Sequence, residues 1–465
     1  MLIKNKIHIA SALILAGALL VIRLLTPEFA AGTVISEHPV IALSLAMLIA
    51  GLAWFVLFLT LRRSTKSSYA VFSTLLLLGL VIRLMFFGSQ SVYENDYKRY
   101  LWDGAVIASA ENPYIYSPSE IYEASQPGAR SVPRLAHLAV MSKQANNLTG
   151  EINSPLLTTI YPPAAQGIFA LAHVIAPFKV WGLQFVFLLT ELLGLAALLA
   201  VLRARSIPLI YSTLYWLNPV IIFTTYNGVH MDVLLVAPLL AALLWAGRRP
   251  FLAAFMLALA AAVKIWPLVL APVIFRQWRD KPLTYMSIAA VIGGLTALSL
   301  LPMVLSLDQD AGLVAYSANW TNSSFLFPGL RDGLGVFISE PDRAARFVVA
   351  ALVTALSLWL GFISPKDSRL IPIHLVLLIA VFIFLSPTGY PWYFIWVFMF
   401  LPLVVQHWAT RGLALLTFGA AIYYARFQLG EAGYYSFYAK VLLPIEFGTP
   451  LLVLIYDGWK AKIHA

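Results

Sequence analysis

Apolar stretches of about 17 residues or more recur along almost the whole chain, and each is long enough to cross the hydrocarbon core of a bilayer as a helix. The side chains that would cover a water-exposed surface are scarce: of 465 residues, 61% are hydrophobic and only 11% are charged, with a mean hydropathy of +0.83. A soluble domain of this size needs a far larger charged fraction. No stretch remains for a separate soluble domain, so residues 1–465 read as one all-α polytopic membrane domain with embellished loops. The formal charge of +10 does not point to nucleic acid, because the cations sit in short loops between apolar runs. That is the signature of membrane topology, with some attraction to anionic lipid. The chain has no Cys, which excludes disulfides and thiol chemistry.

The pattern predicts full spans near 7–25, 39–61, 69–87, 180–202, 207–226, 228–246, 282–305, 343–363, 370–387, 392–408, 412–429 and 441–458. The first follows Lys4 and Lys6, is long for a signal-peptide core and lacks a small-residue cleavage site, so it reads as an uncleaved span. Two apolar segments fit less well. Residues 161–178 are interrupted by Pro162, Pro163 and Pro177, and 250–275 carries Lys264 and Pro267 in its middle. Charge bias arbitrates. Lys4/Lys6, Arg62/Arg63/Lys66, Arg203/Arg205, Arg248/Arg249, Arg276/Arg279/Lys281, Lys366/Arg369, Arg411 and Lys460/Lys462 fall on one side only under two conditions. Segment 161–178 must not cross, and 250–275 must enter and leave on the same side. Both termini are then cytoplasmic, and twelve full spans result.

Two long segments, 88–160 and 306–342, are left on the outer side, and loops above about 15 residues are uncommon without a purpose. Three Asn-x-Ser/Thr sequons fall there (Asn147, Asn319, Asn322), a pattern short enough to arise by chance. In the first loop Asp96 stands in Tyr93-Glu94-Asn95-Asp96-Tyr97-Lys98-Arg99-Tyr100, about nine residues beyond the third span. A carboxylate beside the bilayer is partly desolvated, which raises its pKa toward that of a useful general base. The alternative is a solvated loop acid paired with Arg99. Trp102-Asp103-Gly104 and Asn112-Pro113-Tyr114 follow, and the spacing predicts an amphipathic helix lying along the membrane surface.

Further along, Tyr226-Asn227-Gly228-Val229-His230-Met231-Asp232 is a polar knot in a short outer turn. His230 and Asp232 there could bind a metal, orient each other, or bind substrate hydroxyls; a hydrogen-bonded helix cap is the plainer reading, and nothing in the sequence completes a metal shell. Lys264 lies inside an apolar run, before Ile265-Trp266-Pro267 breaks the helix. A buried Lys should face a cavity or an anion, and a phosphate suits it as a point charge. Arg83, near the outer end of the third span, is either a second phosphate ligand or a cation reaching back to the interface. Ser386-Pro387-Thr388-Gly389-Tyr390-Pro391-Trp392-Tyr393 makes an aromatic outer turn, suited to stacking on sugar rings or to an ordinary interfacial belt.

Taken in order, these stretches resemble a family. Asp96-Tyr97-Lys98-Arg99-Tyr100-Leu101-Trp102-Asp103-Gly104, Asn112-Pro113-Tyr114, Thr159-Ile160-Tyr161-Pro162-Pro163-Ala164-Ala165-Gln166, Tyr226-Asn227-Gly228 with His230 and Asp232, Val263-Lys264-Ile265-Trp266-Pro267, Asn322-Ser323-Ser324 and Pro391-Trp392-Tyr393 are similar to motifs of bacterial polyprenyl-phosphate-mannose-dependent mannosyltransferases. Those enzymes belong to the GT-C superfamily, with the mycobacterial phosphatidylinositol-mannoside enzymes among them. The likeness covers about residues 90–395.

The resemblance implies a GT-C fold in a bacterial plasma membrane, an extracytoplasmic site, a polyprenyl-phosphate sugar donor and a glycan or glycolipid acceptor. Asp96 would be the base, with Glu94 a rival, and transfer would invert the anomeric centre. Lys264, Arg99 and Arg83 would lie near the leaving phosphate. Glu94, Asn227, His230, Asp232, Tyr161, Trp392 and Tyr393 would bind sugar or acceptor, and no metal or other cofactor is implied. Tyr390 departs from the His or Asn often found before Pro-Trp-Tyr, so the hexose is mannose by analogy alone. A transporter or lipid flippase for a glycolipid or other anionic substrate is the rival, since a buried Lys and a re-entrant hairpin also suit a substrate pathway. Against it, no inverted repeat is visible and the polar residues crowd one face.

Overall fold

The structure, a computed structural model, describes residues 2–30, 33, 37–63, 68–125, 148, 150–307 and 311–463. Among these the chain is helical, with one isolated β-bridge between Asn322 and Thr388. Seven helices are long and apolar enough to cross a membrane: Asn5–Phe29, Val40–Arg62, Val180–Ala204, Pro282–Val304, Pro341–Ile363, Ser368–Leu385 and Ser436–Ile463. The pair Pro219–Tyr226 and Met231–Trp245, bent by 111°, makes an eighth when taken as one span. This is an all-α membrane protein. The sequon at Asn147 lies outside the described residues.

The other expected spans are shorter or broken, for local reasons. Tyr69–Met85 is a regular helix of 17 residues. Within 207–226 the helix stops at Trp216 and restarts at Pro219, because Pro219 has no N–H to donate and Asn218 caps the new start, its Oδ1 accepting from the Val220 and Ile221 amides. The break orphans two carbonyls deep in the protein, where each needs a donor. Trp54 Nε1 donates to the Leu214 carbonyl at 2.9 Å, and Arg83 Nη1 to the Trp216 carbonyl at 2.7 Å. Segments 392–408 and 412–429 are likewise short 3₁₀ and α turns, such as Pro391–Phe394, Leu401–Leu403 and Leu415–Phe418.

The basic loops gather at one end of the molecule. Arg62 Nη1 donates to Thr410, Gln406 Nε2 to the Arg62 carbonyl and the Tyr211 hydroxyl, and Arg205 to the Ser368 carbonyl. Arg276 reaches His374 and Asp367, Arg279 the Gly361 and Ser364 carbonyls, and Lys366 pairs with Asp280.

The segment 250–275 starts and finishes at this basic end, since Trp278 Nε1 donates to the Ala246 carbonyl at 2.8 Å. Its helix Pro250–Val263 has 14 residues, about 21 Å at about 1.5 Å per residue, short of the roughly 30 Å core. At Lys264 the backbone becomes extended (φ −148°, ψ 137°), and the chain returns through Trp266–Leu270 and Ala271–Ile274. Helix Pro163–Ile175, with 13 residues, is equally short.

The Asp96–Ala108 helix differs from its surface-amphipathic expectation. Its residues from Tyr97 to Val106 are buried, Lys98 excepted, because the helix packs against Pro163–Ile175 instead of lying on lipid. Two features bring them together. The ideal Cβ position at Gly104 lies 2.4 Å from the Phe169 carbonyl oxygen, so only glycine fits there. Asp103 accepts from Arg99 Nε at 2.8 Å, Thr159 Oγ1 at 2.5 Å and Gln166 Nε2 at 3.0 Å. A Gly104→Ala variant is expected to lose about 1–3 kcal/mol by forcing the helices apart. It should appear as a lower thermal midpoint of the purified protein in detergent.

Candidate functional site

The end opposite the basic loops carries a cluster of polar groups, Glu94, Asp96, His230, Asp232 and Lys264. The Asp96–Ala108 helix delivers Asp96 in its first turn, and Tyr93 before it adopts φ +58° to turn the chain into that helix. The bend after Tyr226 delivers His230, with Asp232 in the 3₁₀ turn Met231–Leu235 that follows, the break after Val263 delivers Lys264, and the 3₁₀ turn Pro391–Phe394 delivers Trp392, with Tyr390 just before it.

His230 is the hub. Its Nε2 lies 3.4 Å from Glu94 Oε2 and its Nδ1 3.8 Å from Asp96 Oδ2. Its ring stacks on Trp392, centroids 3.6 Å apart and planes within 10°. Tyr390 stacks on the same indole at 4.3 Å and 9°. Two rings so nearly centred on one indole cannot share a face, so His230 and Tyr390 hold opposite faces of Trp392. The stacking of a sugar on Trp392 that the sequence suggested therefore has no free face, and the indole instead fixes the imidazole.

The two acids differ. Glu94 is nearly buried, with its side chain 9% exposed, and accepts from the Tyr424 hydroxyl at 3.0 Å. Asp96 is a third exposed, with a single long contact from Asn153 Nδ2 at 3.5 Å. It sits in a recess: protein crowds it while its tip stays wetted. That crowding desolvates the carboxylate and pushes its pKa up, opposed by the His230 and Lys264 charges and reinforced by Glu94.

Asp232 does not pair with His230. Its Oδ1 accepts from Lys264 Nζ at 2.6 Å and from Trp396 Nε1 at 2.8 Å. Lys264 Nζ also lies over the rings of Tyr393, at 4.6 Å, and Trp396, at 5.1 Å, a cation–π seat for an ammonium still 22% exposed. One of its three donors is used by Asp232. Tyr393 shares a hydrogen bond with the Tyr316 hydroxyl, and Tyr161 packs edge-on against Tyr100 on the Asp96 helix.

Three residues expected in the site are elsewhere. Arg83 is fully buried in a two-bond pair with Glu191 at 2.6 and 2.7 Å, so it neither snorkels nor faces a ligand. Arg99 is held by Asp103 and the Leu157 carbonyl and pairs with neither Glu94 nor Asp96. Asn227 is buried as a tie: its Oδ1 accepts from the Val92 amide and its Nδ2 donates to Ser89 and the Gln90 carbonyl. It anchors the loop that leads to Glu94.

Sequence reasoning missed Tyr424, Trp396, Asn153 and Arg426. Arg426 donates to Asn322 and Ser323 and so ties the 306–342 loop to the last helices. A signal existed, because a cation inside the apolar run 412–429 follows the same logic as Lys264. Tyr93, Ser154 and Val229 have positive φ without being glycine and adjoin Glu94, Asn153 and His230, while Ala110, Phe178, Ser206 and Ser323 adopt the same conformation away from these groups. For β-branched Val229 that conformation is costly and persists only where surrounding contacts impose it. Among the described residues no group of three or more His, Asp or Glu side chains is arranged to hold a metal ion. Compared with protein-family models, curated proteins and solved structures, the chain matches none.

Proposed function

We propose that this chain is a multi-pass glycosyltransferase of GT-C type in a bacterial plasma membrane, with twelve passes and both termini on the cytoplasmic side. It moves a hexose, mannose by analogy, from a polyprenyl-phosphate donor to an acceptor hydroxyl at the outer face. The observation that carries this reading is the recess in which a wetted Asp96 carboxylate faces His230 within electrostatic reach of the Lys264 ammonium. The site lies opposite the basic loops, which the positive-inside bias assigns to the cytoplasm.

In this reading Asp96 removes the acceptor proton as the hydroxyl oxygen attacks the anomeric carbon. The bond from that carbon to the phosphate oxygen breaks with inversion, and polyprenyl phosphate leaves with the electron pair. Asp96 then returns the proton to water. His230, fixed between Glu94 and Trp392, orients the base, and Lys264 stabilises charge growing on the phosphate. Glu94, already engaged by Tyr424, is the poorer base.

Purified protein incubated with radiolabelled polyprenyl-phosphate hexose and envelope lipid acceptors is expected to form labelled glycan. Lipid flux in proteoliposomes without any transfer would put the transporter reading in its place. The pH dependence follows from burial of Asp96. A base works ionised, so activity rises with pH through its pKa, and the acid limb should lie above the usual carboxylate value of about 4. An Asn153→Ala variant removes a donor to the ionised form and should move that limb to higher pH while leaving the plateau rate near wild type. A pH–rate profile of kcat/KM reads both.

A further inference from the structure

At the basic end a cavity of about 450 Å³ opens between the basic-end termini of the second and last of the membrane-length helices, Val40–Arg62 and Ser436–Ile463. Arg62, Arg63, Arg411 and Lys460 line it, against the single carboxylate of Asp457. We propose that it holds the phosphate headgroup of an anionic glycerophospholipid. Positive-inside bias puts cations in loops, but it does not wrap four of them round one cavity. Such crowding is repulsive unless an anion joins it. Asp457 answers only part of that charge, since both of its oxygens are committed to Arg411. Arg62 spends one donor on Thr410. Arg63 and Lys460 are exposed and make no ion pair among the described residues.

The walls favour a lipid over a free anion. Trp408 forms part of the lining, its ring lying against Gly458, where an added Cβ would stand 3.1 Å from it. Tryptophan at this depth is the residue of the headgroup layer. One turn away along the two helices, Val56, Tyr456 and Trp459 are exposed, giving acyl chains an apolar path that a soluble phosphate does not need. Basic pockets between membrane helices are recognised headgroup sites. The volume suits a phosphoglycerol headgroup, with the chains left in the bilayer.

The test is native mass spectrometry of the full chain titrated with phosphatidylglycerol, phosphatidylcholine or inorganic phosphate. The first phosphatidylglycerol is expected to bind about tenfold more tightly than phosphatidylcholine. An Arg63→Gln/Lys460→Gln variant should lose that preference, whereas Arg248→Gln/Arg249→Gln, which removes the same charge outside the cavity, should keep it. Equal loss in both variants, or no preference in wild type, would overturn the site. Displacement of the lipid by inorganic phosphate at equal concentration would overturn the choice of a lipid. Thermal midpoints in phosphatidylcholine check that both variants fold, and Lys460→Gln alone gives the same reading if the double variant does not.

Discussion

An Asp96→Asn variant is expected to lose hexose transfer by about 10²–10⁴-fold, the range for removing a positioned general base. The substitution is isosteric, and the side chain is partly exposed with one long contact, so little structure depends on its charge. Loss of a negative group in a helix first turn costs about 0.3–1 kcal/mol, which the thermal midpoint will register only slightly. Binding of the donor should persist, because Lys264 and its aromatic seat are untouched.

Glu94→Gln is the comparison that assigns the base. Glu94 holds the Tyr424 hydroxyl and one edge of His230. Its loss should lower kcat less than tenfold and should destabilise the protein more than Asp96→Asn does. The reverse order would make Glu94 the base, and unimpaired transfer by Asp96→Asn would remove Asp96 from the chemistry. Both readouts come from the same preparations, transfer of label and a detergent thermal scan.

The parts of this picture that the sequence carried are those fixed by transfer energies. A lysine in an apolar run must have a partner, and Lys264 does have one, at a helix break, where its neighbouring Pro267 suggested it. Charge bias required 250–275 to return to its starting side, and the Trp278–Ala246 hydrogen bond shows both of its ends together. What did not show was which partner each polar group takes. Arg99 and Asp103 are four residues apart on one helix, so their pairing is legible as an (i, i+4) contact, but Asp96 at (i, i+3) competes for the same cation and spacing alone does not choose between them. Arg83 could not be resolved at all, because its partner Glu191 lies 108 residues away inside another apolar run. Trp392 failed for a similar reason. An aromatic turn says that rings are present, and only packing says that both faces of one are already covered.

Arg83 therefore yields the second large effect, on stability instead of catalysis. Its guanidinium makes two bonds to Glu191 and one each to the Gly79 and Trp216 carbonyls, and it lies 3.5 Å from the Trp216 ring centre. Glu191 in turn accepts from the Tyr226 hydroxyl at 2.5 Å. The pair thus bolts together four helices, Tyr69–Met85, Val180–Ala204, Ser212–Trp216 and Pro219–Tyr226, the last two flanking the Asn218–Pro219 break. Arg83→Met leaves a carboxylate without its counter-charge and the Trp216 carbonyl without a donor, a loss of about 3–5 kcal/mol for breaking a buried pair from one side. The purified variant should melt well below wild type or fail to accumulate. Arg83→Met combined with Glu191→Leu removes both charges and should recover a substantial part of that loss, since two apolar groups tolerate each other where a lone carboxylate does not. A ligand for the donor phosphate would behave otherwise: Arg83→Met would then keep the wild-type midpoint, raise KM for the lipid donor, and gain nothing from the second substitution. Because the side chain has no exposed surface, the recovery of stability in the double variant is the outcome the geometry demands, and a rise in KM at constant stability is the one that would return Arg83 to the site.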